Sequence, residues 1–137
     1  MRINHITFSV SDLDKSIRFY EQVLGAKLLV KGEKTAYFDL DGLWLALNVQ
    51  KEIPRNEIHH SYTHIAFTVT DEEIPLWEEK LQKYGVPILE GRKRDDREKQ
   101  SIYFTDPDGH KFEVHTGTRE DRIQYYKDTK KDMEFYT

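Results

Sequence analysis

Two stretches of this chain open on a histidine strand of the same design, Ile3-Asn4-His5-Ile6-Thr7-Phe8-Ser9-Val10 and Tyr62-Thr63-His64-Ile65-Ala66-Phe67-Thr68-Val69. In each, apolar and polar residues alternate at the period of a half-buried strand. His5 with Thr7, and His64 with Ala66, therefore share the face opposite Ile6-Phe8 and Ile65-Phe67. A repeat of this kind builds two like units, and pairing of the strands about a pseudo-twofold axis would make the histidines converge. The segment after each strand repeats too. Ser11-Asp12-Leu13-Asp14 caps a helix with the stripe Leu13, Ile17, Tyr20 and Leu24, ended by Gly25. Thr70-Asp71-Glu72-Glu73 caps a second helix with the stripe Ile74, Trp77, Leu81 and Tyr84, ended by Gly85.

Three strands are expected after each helix, over 27–31, 35–40 and 43–48, then 87–92, 100–105 and 111–115. The last pair of each set is joined by Asp-Gly, at Asp41-Gly42 and Asp108-Gly109, a hairpin signal because glycine accepts positive φ. The expected fold class is α+β, two βαβββ modules: module 1 over 1–49, a linker over 50–61, module 2 over 62–116, and a C-terminal helix and tail over 117–137. Thr118 would cap that helix. Each module is too small to bury both faces of its sheet, so the halves must pack on one another or on a second chain, and a homodimer is expected.

Composition narrows the chemistry. With no cysteine among 137 residues, disulfides, thiolate catalysis and sulfur-bound zinc are excluded, so a metal would be held by histidine and carboxylate and any thiol would arrive as a substrate. No apolar run of about 18 residues spans a bilayer, and the amino terminus enters a patterned strand without room for a signal peptide, so a cytoplasmic location without membrane is expected. A net charge of −4 gives no pull toward nucleic acid. The cluster Arg92-Lys93-Arg94, with Arg97 and Lys99, is locally basic; mixed with Asp95, Asp96 and Glu98 it reads first as a solvated loop, and otherwise as a seat for an anionic small ligand.

Aligning the Asp-Gly turns sets Leu45 against Phe112, Ala46 against Glu113 and Leu47 against Val114. The repeat breaks where a carboxylate replaces a methyl group. By alternation Lys111, Glu113 and His115 share one face, as do Trp44, Ala46 and Asn48. His5, His64 and Glu113 then form a candidate metal triad that suits a divalent first-row ion or Mg²⁺ and leaves coordination positions open for substrate oxygens. His59, His60, His110 and His115 lack the support of the repeat and are not assigned to the metal.

Beyond these features, four segments resemble a known family: Ile3-Asn4-His5, Ile53-Pro54-Arg55-Asn56-Glu57-Ile58, Ser61-Tyr62-Thr63-His64-Ile65-Ala66-Phe67 and the run from Ser101 to Glu113 that contains Thr105-Asp106-Pro107-Asp108-Gly109-His110. The chain resembles the vicinal oxygen chelate superfamily and, within it, the metallothiol transferases of the fosfomycin resistance family, bacillithiol-using type. The resemblance covers essentially all of 1–137 as one such domain. It implies His5, His64 and Glu113 as ligands of Mn²⁺ or Mg²⁺, bacillithiol or L-cysteine as thiol co-substrate, and a homodimer with exchanged modules whose sites each use both chains. It implies too that Arg92, Arg94, Arg122, Tyr62 and Tyr103 line a pocket for fosfomycin, a phosphonate bearing an epoxide; arginine forks suit phosphonate oxygens. Trp44 would wall the epoxide end and Asn48 would add a polar contact. Thr7 would donate a hydrogen bond to substrate, and Glu113 is the nearest carboxylate to the thiol, though coordination makes it a poor base. Thr7 departs from the cysteine that many bacillithiol-type relatives carry, which loosens the choice of thiol. The alternatives on the same fold are an extradiol-type dioxygenase and a non-catalytic drug-binding protein. Glyoxalase I fits less well, because Ala46 stands where a fourth ligand would come from.

Overall fold

A computed structural model describes residues 1–92 and 94–137; Lys93 of the basic cluster lies outside the described residues. Module 1 runs β1 (His5–Val10), α1 (Leu13–Gln22), β2 (Lys27–Lys31), β3 (Thr35–Leu40) and β4 (Leu43–Val49), with sheet order β1-β4-β3-β2. The connection carries a short helix, α2 (Asn56–His60). Module 2 runs β5 (His64–Thr68), α3 (Glu73–Lys83), β6 (Ile88–Leu89), β7 (Ser101–Thr105) and β8 (Lys111–His115), in the matching order β5-β8-β7-β6. A single 3-10 turn, Asp96–Glu98, precedes β7, and α4 (Arg119–Thr129) follows β8.

The first strand of each module lies parallel to its last, which only the long path through a helix and two further strands can achieve. Thr7 pairs with Ala46 and Ala66 with Glu113, so Ala46 and Glu113 occupy equivalent places in the two sheets. Asp12 caps α1 by accepting from the Lys15 amide, and Thr118 caps α4 with Asp121 closing the box. Gly25 and Gly85 adopt φ +70 and +66 after α1 and α3, as the terminal role requires.

Three expectations are corrected. The linker is partly helical. The strand expected over 87–92 is only Ile88–Leu89, because the chain then leaves the sheet edge and carries Arg92 to Glu98 and Arg94 to Glu113. The second Asp-Gly sits in a five-residue loop, 106–110, whereas Asp41-Gly42 is a true two-residue turn with both residues at positive φ. Asp106 organises that longer loop. Its Oδ1 accepts from the Asp108 and His110 amides at 3.0 and 2.9 Å, and its Oδ2 from Tyr20 at 2.8 Å.

Tyr20 belongs to module 1, so this bond ties the modules together. Around it runs one apolar cluster: Val10, Phe19, Tyr20, Phe38 and Leu47 meet Leu81, Phe104, Phe112 and Val114. Phe19 lies 6.4 and 6.3 Å from Phe104 and Phe112. Arg55, from the connection, adds a polar clasp, donating to the Ser9 and Gln50 carbonyls and pairing with buried Asp108, whose other oxygen accepts the Ser11 amide. Since each sheet gives its apolar face to this shared core, its polar face turns outward.

Candidate metal centre

On the polar face of the second sheet, β5 supplies His64 and β8 supplies Glu113, which is only 6 % exposed. His64 Nδ1 lies 2.6 Å from the Tyr62 carbonyl oxygen. A carbonyl can only accept, so Nδ1 carries a proton and Nε2 is the nitrogen left toward Glu113 Oε1, 3.2 Å away. A ring nitrogen and a carboxylate oxygen this close are held together by a cation between them, a proton or a metal ion. Ligand atoms each about 2.1 Å from one ion at right angles stand about 3 Å apart, so the pair fits a divalent metal.

The other carboxylate oxygen is fully occupied by the protein. Oε2 accepts from Ser101 Oγ at 2.5 Å and from Arg94 Nη2 at 3.3 Å, and Ser101 Oγ also lies 2.6 Å from His115 Nδ1. Burial holds the His115 imidazole below its ordinary value, against the pull of Glu113. Arg94 Nη2 also donates to Tyr103 at 2.7 Å, and the Tyr103 hydroxyl shares a hydrogen bond with Tyr62 at 3.1 Å. Burial, then that bond and the charge of Glu113, raise the Tyr103 phenol above its ordinary range, so it stays protonated. Arg94 Nη1 is buried with no hydrogen-bond partner among the described residues. A buried guanidinium donor left unpaired is costly, and an anion beside it would remove the cost.

Arg92 and Arg122 flank this group, both paired with Glu98. The Arg92 hydrogen bond holds the Glu98 carboxyl below the usual carboxylate range despite burial. A folded value below the unfolded one, about 4.3, means that the pair stabilises the fold above that pH and loses its contribution as pH falls through the folded value. The thermal midpoint of the wild type is therefore expected to fall more steeply between neutral and acid pH than that of Glu98→Gln. Parallel profiles would contradict the assignment.

Tyr62, His64, Arg92, Arg94, Tyr103, Glu113 and Arg122 thus line one cleft of about 430 Å³. His115, Tyr126, Gly117, Thr118 and Arg119 line it as well, beyond the residues expected there. Strand alternation places His115 on the face of Glu113; Tyr126 carries no comparable signal. Arg97 pairs with Asp128 at the surface, in keeping with the solvated reading.

The remaining expected residues lie on the first sheet. The His5 and Trp44 rings lie 4.6 Å apart, tilted by 40°, Trp44 meets Tyr37, and Asn48 accepts from Thr35, all on the outward face that Thr7 shares. His5 Nδ1 lies 2.6 Å from Asn4 Oδ1 and so, like that of His64, is engaged within the protein. The expected convergence of His5 with His64 is not formed within one chain: among the described residues no group of three His, Asp or Glu could hold a metal ion. The shared core is the reason, since it turns the two polar faces away from each other.

The Glyoxalase/Bleomycin resistance protein/Dioxygenase superfamily model matches residues 2–114. The metallothiol transferase FosB of Lysinibacillus sphaericus is 66 % identical over 134 residues, covering 98 % of this chain and 95 % of the relative. That of Staphylococcus saprophyticus is 63 % identical, covering 98 % and 89 %. Among solved structures, the fosfomycin resistance protein FosX of Listeria monocytogenes complexed with Mn(II) and sulfate is similar with a TM-score of 0.81 at 34 % identity, covering 91 % of this chain and 97 % of that one. A FosX variant complexed with Mn(II) and 1S,2S-dihydroxypropylphosphonic acid aligns with a TM-score of 0.80. Matched over nearly its whole length and in both sheets, the chain belongs to the FosB metallothiol transferases of the glyoxalase/bleomycin resistance protein/dioxygenase superfamily.

Proposed function

We propose that this protein opens the epoxide of fosfomycin by adding a low-molecular-weight thiol, bacillithiol in the first instance and L-cysteine in the second, with His5, His64 and Glu113 as ligands of Mn²⁺ or Mg²⁺. The observation that carries the reading is the His64–Glu113 pair, a ring nitrogen and a carboxylate oxygen 3.2 Å apart, beside the buried Arg94 Nη1, which has no hydrogen-bond partner among the described residues. One arrangement invites a cation and the other an anion, as a metal-bound phosphonate would require. Mn(II) with sulfate, and Mn(II) with a phosphonate, in FosX support it. The identity to FosB proteins favours it over the dioxygenase and drug-sequestering alternatives.

In this reading the homodimer completes the site. The outward face of the first sheet in one copy, with His5, Thr7, Trp44 and Asn48, covers the outward face of the second sheet in the other. Arg94, Tyr103, Tyr62, Arg92 and Arg122 hold the phosphonate dianion, with Arg94 Nη1 as the strongest donor because it is already desolvated. Thr7 donates to a substrate oxygen, Trp44 walls the epoxide end and Asn48 adds a polar contact. The sulfur–carbon bond forms as the carbon–oxygen bond breaks; the thiol gives up its proton and the freed oxygen takes one. A bound divalent ion supplies Lewis-acid stabilisation of the charge that develops on that oxygen. With Oε2 saturated by Ser101 and Arg94, Glu113 serves as a ligand rather than as the base for the thiol. No helix among the described residues is long and apolar enough to cross a membrane, and the cytoplasm, where small thiols stay reduced, is the proposed location.

Mass spectrometry of fosfomycin incubated with protein, Mn²⁺ or Mg²⁺, and bacillithiol, cysteine or glutathione in turn tests the reaction. The bacillithiol adduct is expected, and absence of every thiol adduct would overturn the proposal. For Arg94→Ala, loss of a charged hydrogen bond worth about 1.5–3 kcal/mol predicts a KM for fosfomycin raised about 10- to 100-fold. An unchanged KM would place the phosphonate elsewhere.

A further inference from the structure

The two oxygens of Glu113 have different surroundings. Among the described residues Oε1 meets only His64 Nε2, at 3.2 Å, while Oε2 takes the Ser101 hydroxyl and Arg94 Nη2. A carboxylate accepts only, and serine has one proton, so Ser101 must donate to Glu113. Its oxygen is then left to accept from His115 Nδ1–H at 2.6 Å. We propose that Ser101 is a positioning residue for the metal centre: held by the His115 ring, its hydroxyl occupies Glu113 Oε2 and leaves Oε1 alone to bind the ion. The inference rests on Glu113 being a ligand, as proposed above.

The geometry behind it is built in. Ser101 on β7 pairs with His115, and Tyr103 with Glu113, so all four side chains share the outward face of one antiparallel hairpin. Ser101 is diagonal to Glu113, and a hydroxyl at that place has the length to reach it. The ring that orients the hydroxyl has room because residue 117 is glycine: a Cβ there would stand 2.7 Å from His115 Nε2. The terminal torsion of a glutamate is soft. Without the Ser101 bond Oε2 keeps only the longer Arg94 contact, at 3.3 Å, among the described residues, and the carboxylate can turn to offer both oxygens to an ion. An ion held through one carboxylate oxygen would keep more positions for substrate oxygens than one held through both. The serine therefore bears on how much of the ion the substrate can reach.

The test uses full-length Ser101→Ala, Ser101→Thr, Gly117→Ala and Glu113→Gln proteins, with folding checked by thermal midpoint. Mn²⁺ is titrated by calorimetry and the bound ion is examined by electron paramagnetic resonance. Loss of a partner that orients a ligand lowers metal affinity by about 10- to 100-fold. That loss is expected for Ser101→Ala, with an altered Mn²⁺ spectrum, while Ser101→Thr, which keeps the hydroxyl, stays within about threefold of wild type by the same argument. Gly117→Ala, which displaces the ring without touching the serine, should shift affinity in the direction of Ser101→Ala. If Ser101→Ala binds Mn²⁺ with wild-type affinity and spectrum while Glu113→Gln loses binding, the positioning role falls and the ligand assignment stands. If Glu113→Gln binds Mn²⁺ as tightly as the wild type, both fall.

Discussion

His64→Ala is expected to lower thiol transfer to fosfomycin by about three orders of magnitude, because the ion it is proposed to hold would contribute several kcal/mol to the transition state and each 1.36 kcal/mol is tenfold in rate. The histidine has little freedom to do otherwise. Its Nδ1 is committed to the Tyr62 carbonyl, and its Nε2 lies 3.2 Å from Glu113 Oε1. Alanine removes one member of that pair and leaves the buried carboxylate with Ser101 and Arg94 but no partner for Oε1. Mn²⁺ affinity should fall together with the rate, and dialysis of the wild type against a chelator should give the same loss, reversed by adding the ion. His60→Ala, at an exposed position of α2, is the control and should leave both unchanged. Retention of fosfomycin modification by the His64 variant would refute the proposed centre.

Mixing two inactive variants should restore activity. Within one chain His5 lies on the outward face of the first sheet and His64 with Glu113 on that of the second. If each site draws His5 from one copy and the other two ligands from its partner, a dimer of one His5→Ala chain and one His64→Ala chain holds one site with both defects and one with neither. With free exchange of equal amounts, about half the dimers are mixed, so about a quarter of wild-type activity should return. Each variant alone should show almost none. A mixture no more active than its components would mean that the ligands come from one chain or that the copies do not associate in this way. The design is insensitive to modest losses of stability, since the reading is recovery.

Much of this is legible in the sequence because it is local. Alternation with period two decides which side chains of a strand share a face, so it places Glu113 and His115 together without knowledge of any contact. The equivalence of Ala46 and Glu113 likewise follows from two modules of one pattern, and the paired registers bear it out. Ser101 is a harder case. A two-residue turn at Asp108-Gly109 would set Tyr103 opposite Val114, whereas the five-residue loop sets it opposite Glu113 and brings Ser101 beside His115. Loop length is decided by the Asp106 side chain and its bonds to amides and to Tyr20, and Tyr20 is 86 residues distant in the chain. The arginine loop is ambiguous for a related reason: its composition suits solvent, and it takes the buried Glu98 and Glu113, with Tyr103, to hold Arg92 and Arg94 in the cleft.

What the sequence determined by itself was therefore the pair of βαβββ modules, the two histidine strands and the single break in their symmetry at Glu113, since these depend on periodicity and on short-range turns and caps. What only the tertiary structure decided was which of these groups meet. Burying both apolar sheet faces in one core outweighs any attraction among polar side chains, so the same packing that brings His64, Glu113, Ser101 and Arg94 together turns His5 away from them and leaves its face open to a second copy.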